Sequence, residues 1–542
     1  MLTNFVIVPI LVAVFLYLFP LNKSARFLAA LVQTVLTGAA FWLFMETRQG
    51  EIFSSIGSYY GVLGIHLRAD LLSAMFVFLT TFFFLIATIY SFHEDYSRLF
   101  WFLMFIWQGS LIGLFLTADL FNVFVLMEVT SVIVAVLIMY NRLKRSMYDG
   151  VIYFAINVIV MQFYLFGLGY IYRLTGTVDM YLMSERIHAY HYNYLMLPYA
   201  TIMTFIALKC ALVPMFAWLP KAHGSPAAPP AVSAILSGLH VKSAIYLFIR
   251  FQDLFELVAS TQFFLILGII TGIFGFVMAI AQTDLKLILA YHTISQIGLI
   301  FTGLSLADAT YIGGFSYSFV GGLYHIINHA LFKGGLFLSA GVIIKVYGTR
   351  DVYKIRGVFR AYPIIGGATA MAILGIIGAP FFNGSISKYF MVSDADTFLN
   401  GILIFMSLGT IISFIKYSTI LFGKADIPAP LPKGQVIQVS ALQQGSVLVL
   451  GILCFFTGIF GVQFIQFLFD IPVYIDMWGY AEKVLIFFAS LAAGYLIFKY
   501  YVKQSTLLKR IKHLDMGFRA MVFSIGLFFS VTLFVVGILF QA

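Results

Sequence analysis

The sequence predicts an all-α polytopic membrane protein of about sixteen transmembrane helices, with two inverted five-helix repeats and further helices at both ends. Three observations predict it. Hydrophobic residues make up 62% of the 542 residues and charged ones only 10%, and the mean hydropathy is +0.99; ordinary soluble domains are far more polar. Apolar runs of membrane-spanning length follow one another along the chain. Basic residues crowd into alternate loops.

The expected spans are 3–20, 26–45, 70–91, 99–117, 120–140, 149–171, 197–219, 230–250, 262–281, 286–304, 310–345, 362–393, 399–422, 444–468, 482–500 and 520–540. The eleventh and twelfth exceed the length of one straight crossing, so both are expected to contain breaks. The N-terminus lacks a positive n-region and a cleavage signal, so the first run reads as a retained helix. The longest loops, 46–69, 172–196 and 423–443, are too short to fold alone. The expected organisation is residues 1–98 as N-terminal peripheral helices, 99–251 as a first bundle of helices 4–8, 262–422 as a second of helices 9–13, and 423–542 as C-terminal helices.

Lysine and arginine counts set the topology. Loops after odd-numbered helices hold twenty-one basic residues, among them Lys144, Arg145, Lys221, Lys345, Lys509 and Arg510, against five (Arg48, Arg68, Arg173, Arg186 and Arg250) on the other side. The first side is therefore expected to be cytoplasmic, with both termini outside. The net charge of +10 is largely this signal, which removes the case for nucleic-acid binding.

Six basic residues remain: Lys209, Lys242, Lys333, Lys388, Lys416 and Lys483. Lys483 stands near a helix end, where it can snorkel to the interface. The other five fall within expected spans, as does Glu128. His325, His329 and Lys333 are spaced four apart, so on a helix they form one stripe advancing about 6 Å per step. Ionisable groups at membrane depth cost several kcal/mol unless they face a cavity or a partner. Together they read as a proton or ion path. Cys210 and Cys454 lie in apolar runs without metal-ligand spacing and read as buried thiols. No dinucleotide fingerprint or cluster-ligand pattern is present, so no cofactor is expected in this chain and redox chemistry is assigned to partners.

Prolines deep in a span are few, chiefly Pro214 in the seventh and Pro380 in the twelfth. Proline removes a backbone donor and interrupts a helix. Each lies near a buried lysine, Lys209 and Lys388. If helices 4–8 and 9–13 correspond, these are the fourth helix of each unit, and an odd number of crossings inverts the second unit relative to the first. Interrupted helices at matching positions of inverted repeats point to a transport site.

Four segments carry a family likeness: Asp119-Leu-Phe-Asn-Val-Phe-Val-Leu-Met-Glu128, Trp218-Leu-Pro-Lys-Ala-His223 running on to Gly238, His325 to Gly341, and Gly378-Ala-Pro-Phe-Phe-Asn-Gly-Ser-Ile-Ser-Lys388. Over roughly residues 60–425 the chain resembles the antiporter-like subunits shared by respiratory complex I, membrane-bound hydrogenases and Mrp-type cation/proton antiporters. The resemblance implies a proton path of Glu128, Lys209, Lys242, His325, His329, Lys333 and Lys388, with Glu128 paired to Lys209 on the broken seventh helix. It implies partner membrane subunits, a redox module in some assemblies, and residence in a prokaryotic cell membrane. His240 departs from the pattern and is weighed as a packing histidine or an addition to the path. Lys416 is weighed as part of the exit or as an interfacial charge, and Lys221 as a loop charge. Glycines 321, 322, 334 and 335 serve either helix deformation or close packing. The interval 503–518 gives roughly 24 Å of helix, too short to brace neighbouring subunits, which favours an Mrp-type or hydrogenase-type assembly.

The expected mechanism is a hydrated line of alternating charge from Glu128 to Lys388. If Lys209 moves between Glu128 and Lys242, its hold on a proton changes with the ion pair, and the histidines relay. Sodium coupling stays open, since no oxygen-rich cation site is evident. The alternatives are a membrane subunit of an inorganic-carbon uptake system, a self-contained secondary transporter, and a non-conducting structural subunit.

Overall fold

The computed structural model describes residues 1–20, 23–56, 64–225, 228–256, 260–306, 316–425 and 438–539. Among the described residues thirteen helices are long and apolar enough to cross a membrane, and three shorter apolar ones, Leu2–Leu18, Met196–Lys209 and Pro363–Ile377, join them. Each expected span holds one of these sixteen. Residues 310–315, the start of the expected eleventh span, lie outside the described residues, as does Lys433 of the topology count. Internal contacts divide the chain into two compact units, Met1–Ser260 with Met516–Ala542, and Thr261–Asp515.

The first unit begins with α1 (Leu2–Leu18) and α2 (Lys23–Thr47). The expected loop 46–69 contains an antiparallel hairpin, β1 (Ile52–Ile56) and β2 (Ile65–Ala69), in which Ile52 faces Ala69 and Ile56 faces Ile65. Then come α3 (Leu71–Ser91), α4 (Arg98–Leu116), α5 (Leu120–Ile138), α6 (Lys144–Thr175) and the short α7 (Met180–Ile187). The interrupted seventh span is α8 (Met196–Lys209) followed by α9 (Trp218–Gly224). The eighth is α10 (Pro230–Ile235), one π-helical turn over Leu236–His240, and α11 (Val241–Phe255). The chain's last helix, Phe518–Leu539, packs on α8 and α6 within this unit.

The second unit holds α12 (Ser260–Ala281), α13 (Leu285–Ser305), α14 (Tyr317–Tyr347), α15 (Val358–Ala361) and the interrupted pair α16 (Pro363–Ile377) and α17 (Asn383–Ser393). It continues through α18 (Thr397–Ser418), α19 (Ala441–Ile459), α20 (Gly461–Phe469), α21 (Met477–Ile497) and α22 (Thr506–Ile511). Three expectations are corrected. Among the described residues the eleventh span shows no break: α14 is one helix of 31 residues. The fourteenth, expected to be continuous, is interrupted at Phe460 between α19 and α20. Lys221, expected in a loop, lies in α9.

Capping residues explain where many helices start. Asp70, Ser97, Asp119, Asp284, Ser316 and Asp396 each accept a backbone N–H from the first turn of the helix that follows, satisfying donors that the helix cannot pair itself. Asp70 adds a capping box with Ser73 and an ion pair with Arg250 at 2.6 Å, which ties α11 to α3. Small residues explain the closest packing. A Cβ on Gly298 of α13 would lie 2.3 Å from the Gly272 nitrogen of α12, and one on Gly321 of α14 2.5 Å from the Met391 nitrogen of α17. One on Gly322 would reach Leu304 of α13 at 3.0 Å. In the uninterrupted α14, Gly321 and Gly322 therefore serve close packing.

Both units contain the same local arrangement. In the first, Asp119 at the start of α5 bridges to Asp179 after α6, with Leu120 N–H donating to Val178 O at 2.9 Å and Met180 N–H to Ala118 O at 2.8 Å. In the second, Asp284 at the start of α13 bridges to Asp351 after α14, with Leu285 N–H donating to Arg350 O at 2.8 Å and Val352 N–H to Thr283 O at 2.9 Å. The long third helix of each bundle ends on a left-handed glycine, Gly176 (φ 70°) or Gly348 (φ 63°), a conformation open to glycine at little cost.

Candidate functional site

In the first unit the site is built around the end of α8. Lys209 is its last residue, only 3% exposed. The helix stops there in a Schellman turn: Leu212 N–H returns to Ala207 O at 2.9 Å and Ala211 N–H to Leu208 O at 2.8 Å, with Ala211 left-handed at φ 55°. Pro214 lies in the following gap, before α9. The Trp218 indole N–H covers the Leu208 carbonyl at 2.7 Å.

With the break capped, the Lys209 amine is available to reach another helix. It donates to Ser131 Oγ of α5 at 2.7 Å, while Ser131 donates to Met127 O at 2.7 Å. Ser131 is one turn beyond Glu128, whose half-buried carboxylate is coupled electrostatically to Lys209. Glu128 and Lys209 thus act on each other electrostatically, while the amine's hydrogen bond goes to the serine. The sequence reading passed over Ser131, although its place three residues after Glu128 puts both on adjoining parts of one helix face.

His240 and Lys242 follow at the π-helical turn, a local irregularity often found at functional sites. His240 Nε2 contacts the Tyr153 hydroxyl at 3.2 Å, and its ring packs edge-on against Trp107 at 5.7 Å. Its Nδ1 has no hydrogen-bond partner, and it lies in the electrostatic range of Lys209. Lys242, wholly buried, donates to the Ser237 carbonyl and lies in the range of Cys210. Of the expected first-unit residues, Glu128, Lys209 and His240 share one electrostatic neighbourhood; Lys242 is held separately by the backbone of its own turn.

At the ends of these helices two carboxylates behave differently. Burial pushes the Asp70 carboxyl up, but the Arg250 charge and hydrogen bonds from Arg250 and Ser73 outweigh it and hold it below the usual range. Burial raises the Asp119 carboxyl above its usual range, and the facing charge of Asp179 adds to this against the hydrogen bonds from Asn122 and Phe121.

In the second unit α14 carries the expected stripe. His325 Nδ1 meets Ser387 Oγ of α17 at 2.8 Å, and its Nε2 donates to Gln296 Oε1 of α13 at 3.0 Å. His329 is fully buried, edge-on to Phe332 at 5.4 Å. Lys333 donates to Leu289 O of α13 at 2.6 Å. Lys388 on α17 reaches back over the break containing Pro380 and donates to Ile376 O at 3.1 Å and Ile377 O at 3.3 Å. There it meets the negative end of the α16 dipole.

Lys388 also lines a cavity of about 90 Å³ with Ser385, Tyr389, Asn400, Lys483 and Ser490. That volume admits several waters. Lys483, expected to snorkel, faces this cavity and donates to Asn400 Oδ1 at 3.2 Å. Lys416, 1% exposed, donates to Ala279 O (3.0 Å), Ile280 O (2.6 Å) and Gln282 O (2.5 Å). It caps the C-terminal end of α12 rather than lying at an interface. His292, which the sequence reading did not single out, is fully buried on α13 and bonded to Ser413 of α18.

Residues 117–416 match the family described as NADH:quinone oxidoreductase/Mrp antiporter, transmembrane. The chain is 30% identical over 410 residues to a Na(+)/H(+) antiporter subunit of Alkalihalophilus pseudofirmus, covering 73% of this chain and 80% of that one. It is 30% identical over 429 residues to NADH-quinone oxidoreductase subunit N of Desulforudis audaxviator, covering 74% and 83%. Among solved structures, a chain of the Mrp complex from Dietzia sp. superposes with a TM-score of 0.78 at 22% identity, over 90% of this chain and 99% of that one. At that identity the superposition speaks for the fold.

Proposed function

This chain belongs to the NADH:quinone oxidoreductase/Mrp antiporter transmembrane family, and from that premise we propose that it is a proton-translocating, antiporter-like subunit of a multisubunit membrane complex. The observation that carries this reading is Lys209: a buried amine at the end of an interrupted helix, held by Ser131 one turn from Glu128. An amine so deeply buried is costly to keep for packing alone, and here a carboxylate on a neighbouring helix acts on its charge. The relatives that match are subunits of a sodium/proton antiporter and of an NADH-quinone oxidoreductase, so the partners proposed here are other membrane subunits. The short α22 supports an Mrp-type or hydrogenase-type assembly. The loop charges support termini on the outer side of the cell membrane.

The chemistry required of the chain is modest. Each cluster holds a proton at an amine or imidazole and releases it when a neighbouring charge changes. In the first unit Glu128 sets the field at Lys209; in the second, Lys388 opens on a cavity able to hold water. The test is proton flux in sealed vesicles holding the intact complex, comparing the wild type with Glu128→Ala and Lys209→Ala, with and without sodium. Loss of flux in an assembled complex is the expected result, and sodium dependence would point to an Mrp-type exchange. Full flux in both variants would make the charged residues structural and the proposal wrong.

A further inference from the structure

The second unit contains a buried histidine that the resemblance does not assign. His292 lies on α13 between Leu289, whose carbonyl holds Lys333, and Gln296, whose side chain holds His325. Positions 289, 292 and 296 are spaced three and four apart, so they line one helix face. The imidazole bridges toward α18 instead of α14: Nε2 is bonded to Ser413 Oγ, and the ring packs on Phe414 at 4.6 Å. Ser413 in turn donates its own hydrogen to Thr410 O at 3.1 Å. The hydroxyl is thus an acceptor toward His292, which makes Nε2 the protonated nitrogen and leaves Nδ1 as a bare acceptor. Nδ1 has no hydrogen-bond partner. The charged groups whose fields reach the ring are Lys333 of α14, Lys416 of α18 and Lys388 of α17.

A neutral imidazole with one nitrogen bonded to a hydroxyl and the other bare, buried within the fields of three amines, is a poor packing element: an apolar ring of similar size would fill the space without an unpaired buried acceptor. The same arrangement is well suited to carry a proton, because imidazole can take one at one nitrogen and release one from the other. We propose that His292 is a proton-carrying residue of the second unit, linking Lys333 on α14 to Lys416 on α18 through Ser413. This rests on the proton-path reading above. In the step, protonated Lys333 gives a proton to Nδ1 and becomes a neutral amine. The imidazolium gives its Nε2 proton to the Ser413 oxygen as that hydroxyl passes its own hydrogen, across a water, to a neutral Lys416. The ring, left with its proton on Nδ1, turns over to present that N–H to Ser413, which restores the starting arrangement. Ser413 and Lys416 are one turn apart on α18, and the step calls for one water between the hydroxyl and the amine. The Lys416 end adjoins the turn where Gln282 donates to Lys512 O at 3.3 Å and Lys512 donates to Thr283 Oγ1 at 2.6 Å. The branch therefore runs toward the α12–α13 turn, apart from the cavity at Lys388.

The decisive variant is His292→Gln, whose amide still bonds Ser413 but cannot bind a proton. In vesicles holding the assembled complex, flux is expected to fall at least about tenfold, as for loss of a positioned acid–base group. Ser413→Ala should lower it about threefold or more, and the double variant should lose no more than His292→Gln alone. Wild-type flux in His292→Gln, alongside loss of flux in Lys209→Met, would overturn this assignment and leave the proton-path reading intact. Wild-type flux in both would overturn the two together. Should His292→Gln fail to assemble, Ser413→Ala decides: reduced flux supports the branch and unchanged flux overturns it.

Discussion

At the end of α8, Leu212 N–H closes on Ala207 O and Ala211 N–H on Leu208 O; at the end of α16, Ala379 N–H closes on Leu374 O and Gly378 N–H on Gly375 O. The two interrupted helices thus stop in the same turn, but their exposed carbonyls are covered differently. In the first unit a neutral indole, Trp218, covers Leu208 O, and Lys209 is left to reach Ser131 on α5. In the second unit Lys388 covers the carbonyls itself. The left-handed position follows suit. Ala211 tolerates it in the first unit, whereas a Cβ on Gly378 would lie 3.1 Å from Lys388 Cδ and 3.3 Å from its Nζ. One backbone device therefore serves two uses of a lysine: across helices, under the field of a carboxylate, or docked on its own helix break beside a cavity.

The largest effect that tests this contrast is on transport. Lys209→Met and Lys388→Met should each lower proton flux at least about tenfold. Only Lys388→Met should also destabilise the fold, by about 1–3 kcal/mol, because it uncovers buried carbonyls. Lys209→Met removes a buried charge and leaves Ser131 bonded to Met127, and the Glu128 carboxylate that loses its counter-charge is only half-buried, so thermal unfolding should stay near wild type. Equal melting temperatures for the two variants would erase the distinction.

Next come the left-handed positions. Gly378→Ala should cost about 1–3 kcal/mol, from the backbone conformation and the displaced lysine together. Ala211→Gly should instead gain about 0.5–1 kcal/mol by relieving φ 55°. Thermal unfolding of the purified complex reads both, and a loss in Ala211→Gly would show that the methyl group's packing outweighs the backbone term. Trp218→Phe keeps the aromatic packing but removes the cap on Leu208 O, at about 1 kcal/mol. Its flux should fall if the freed carbonyl draws Lys209 away from Ser131, and unchanged flux would mean the cap does not position the lysine.

The smallest effect concerns the two bridging aspartates. Asp284 has Arg350 opposite at 2.8 Å, both partly exposed, whereas Asp119 faces Asp179. Asp284→Asn should therefore cost less than about 1 kcal/mol. The Asp119 carboxyl is raised on folding, so the stability it contributes is fully present below the unfolded value of about 3.9 and is lost as pH rises through its folded value. Asp119→Asn keeps a capping side chain and should remove that loss, raising the melting temperature at neutral pH. A lower melting temperature at pH 7 would contradict the assigned sign.

How far the site could be read in advance depended on residue type. Glu128, Lys209, Lys333 and Lys388 stand out because a charge in an apolar run demands an account. Ser131, Tyr153, Ser413 and the Trp218 indole do not, since hydroxyls and aromatics are ordinary in membrane helices and become informative only once a partner is known. His292 had a weak signal, a histidine seven residues into an apolar span, but no stripe of its own. The bridged turns carry a clearer one: Gly176-Thr-Val-Asp179 and Gly348-Thr-Arg-Asp351 close the third helix of each bundle with the same glycine, threonine and aspartate. In both, the threonine hydroxyl accepts from the aspartate N–H, at 3.1 and 3.3 Å.

By itself the sequence determined the membrane class, the number of spans, the interruptions of the seventh and twelfth and the buried charges, because hydropathy, proline and ionisable residues act over a few neighbours and need no partner to be recognised. Only the tertiary structure decided what each lysine holds, that α14 runs unbroken while the fourteenth span breaks, and that Lys416 caps α12. Those outcomes depend on which carbonyls and hydroxyls distant helices bring within about 3 Å, and burial makes such contacts obligatory without saying in advance which will form.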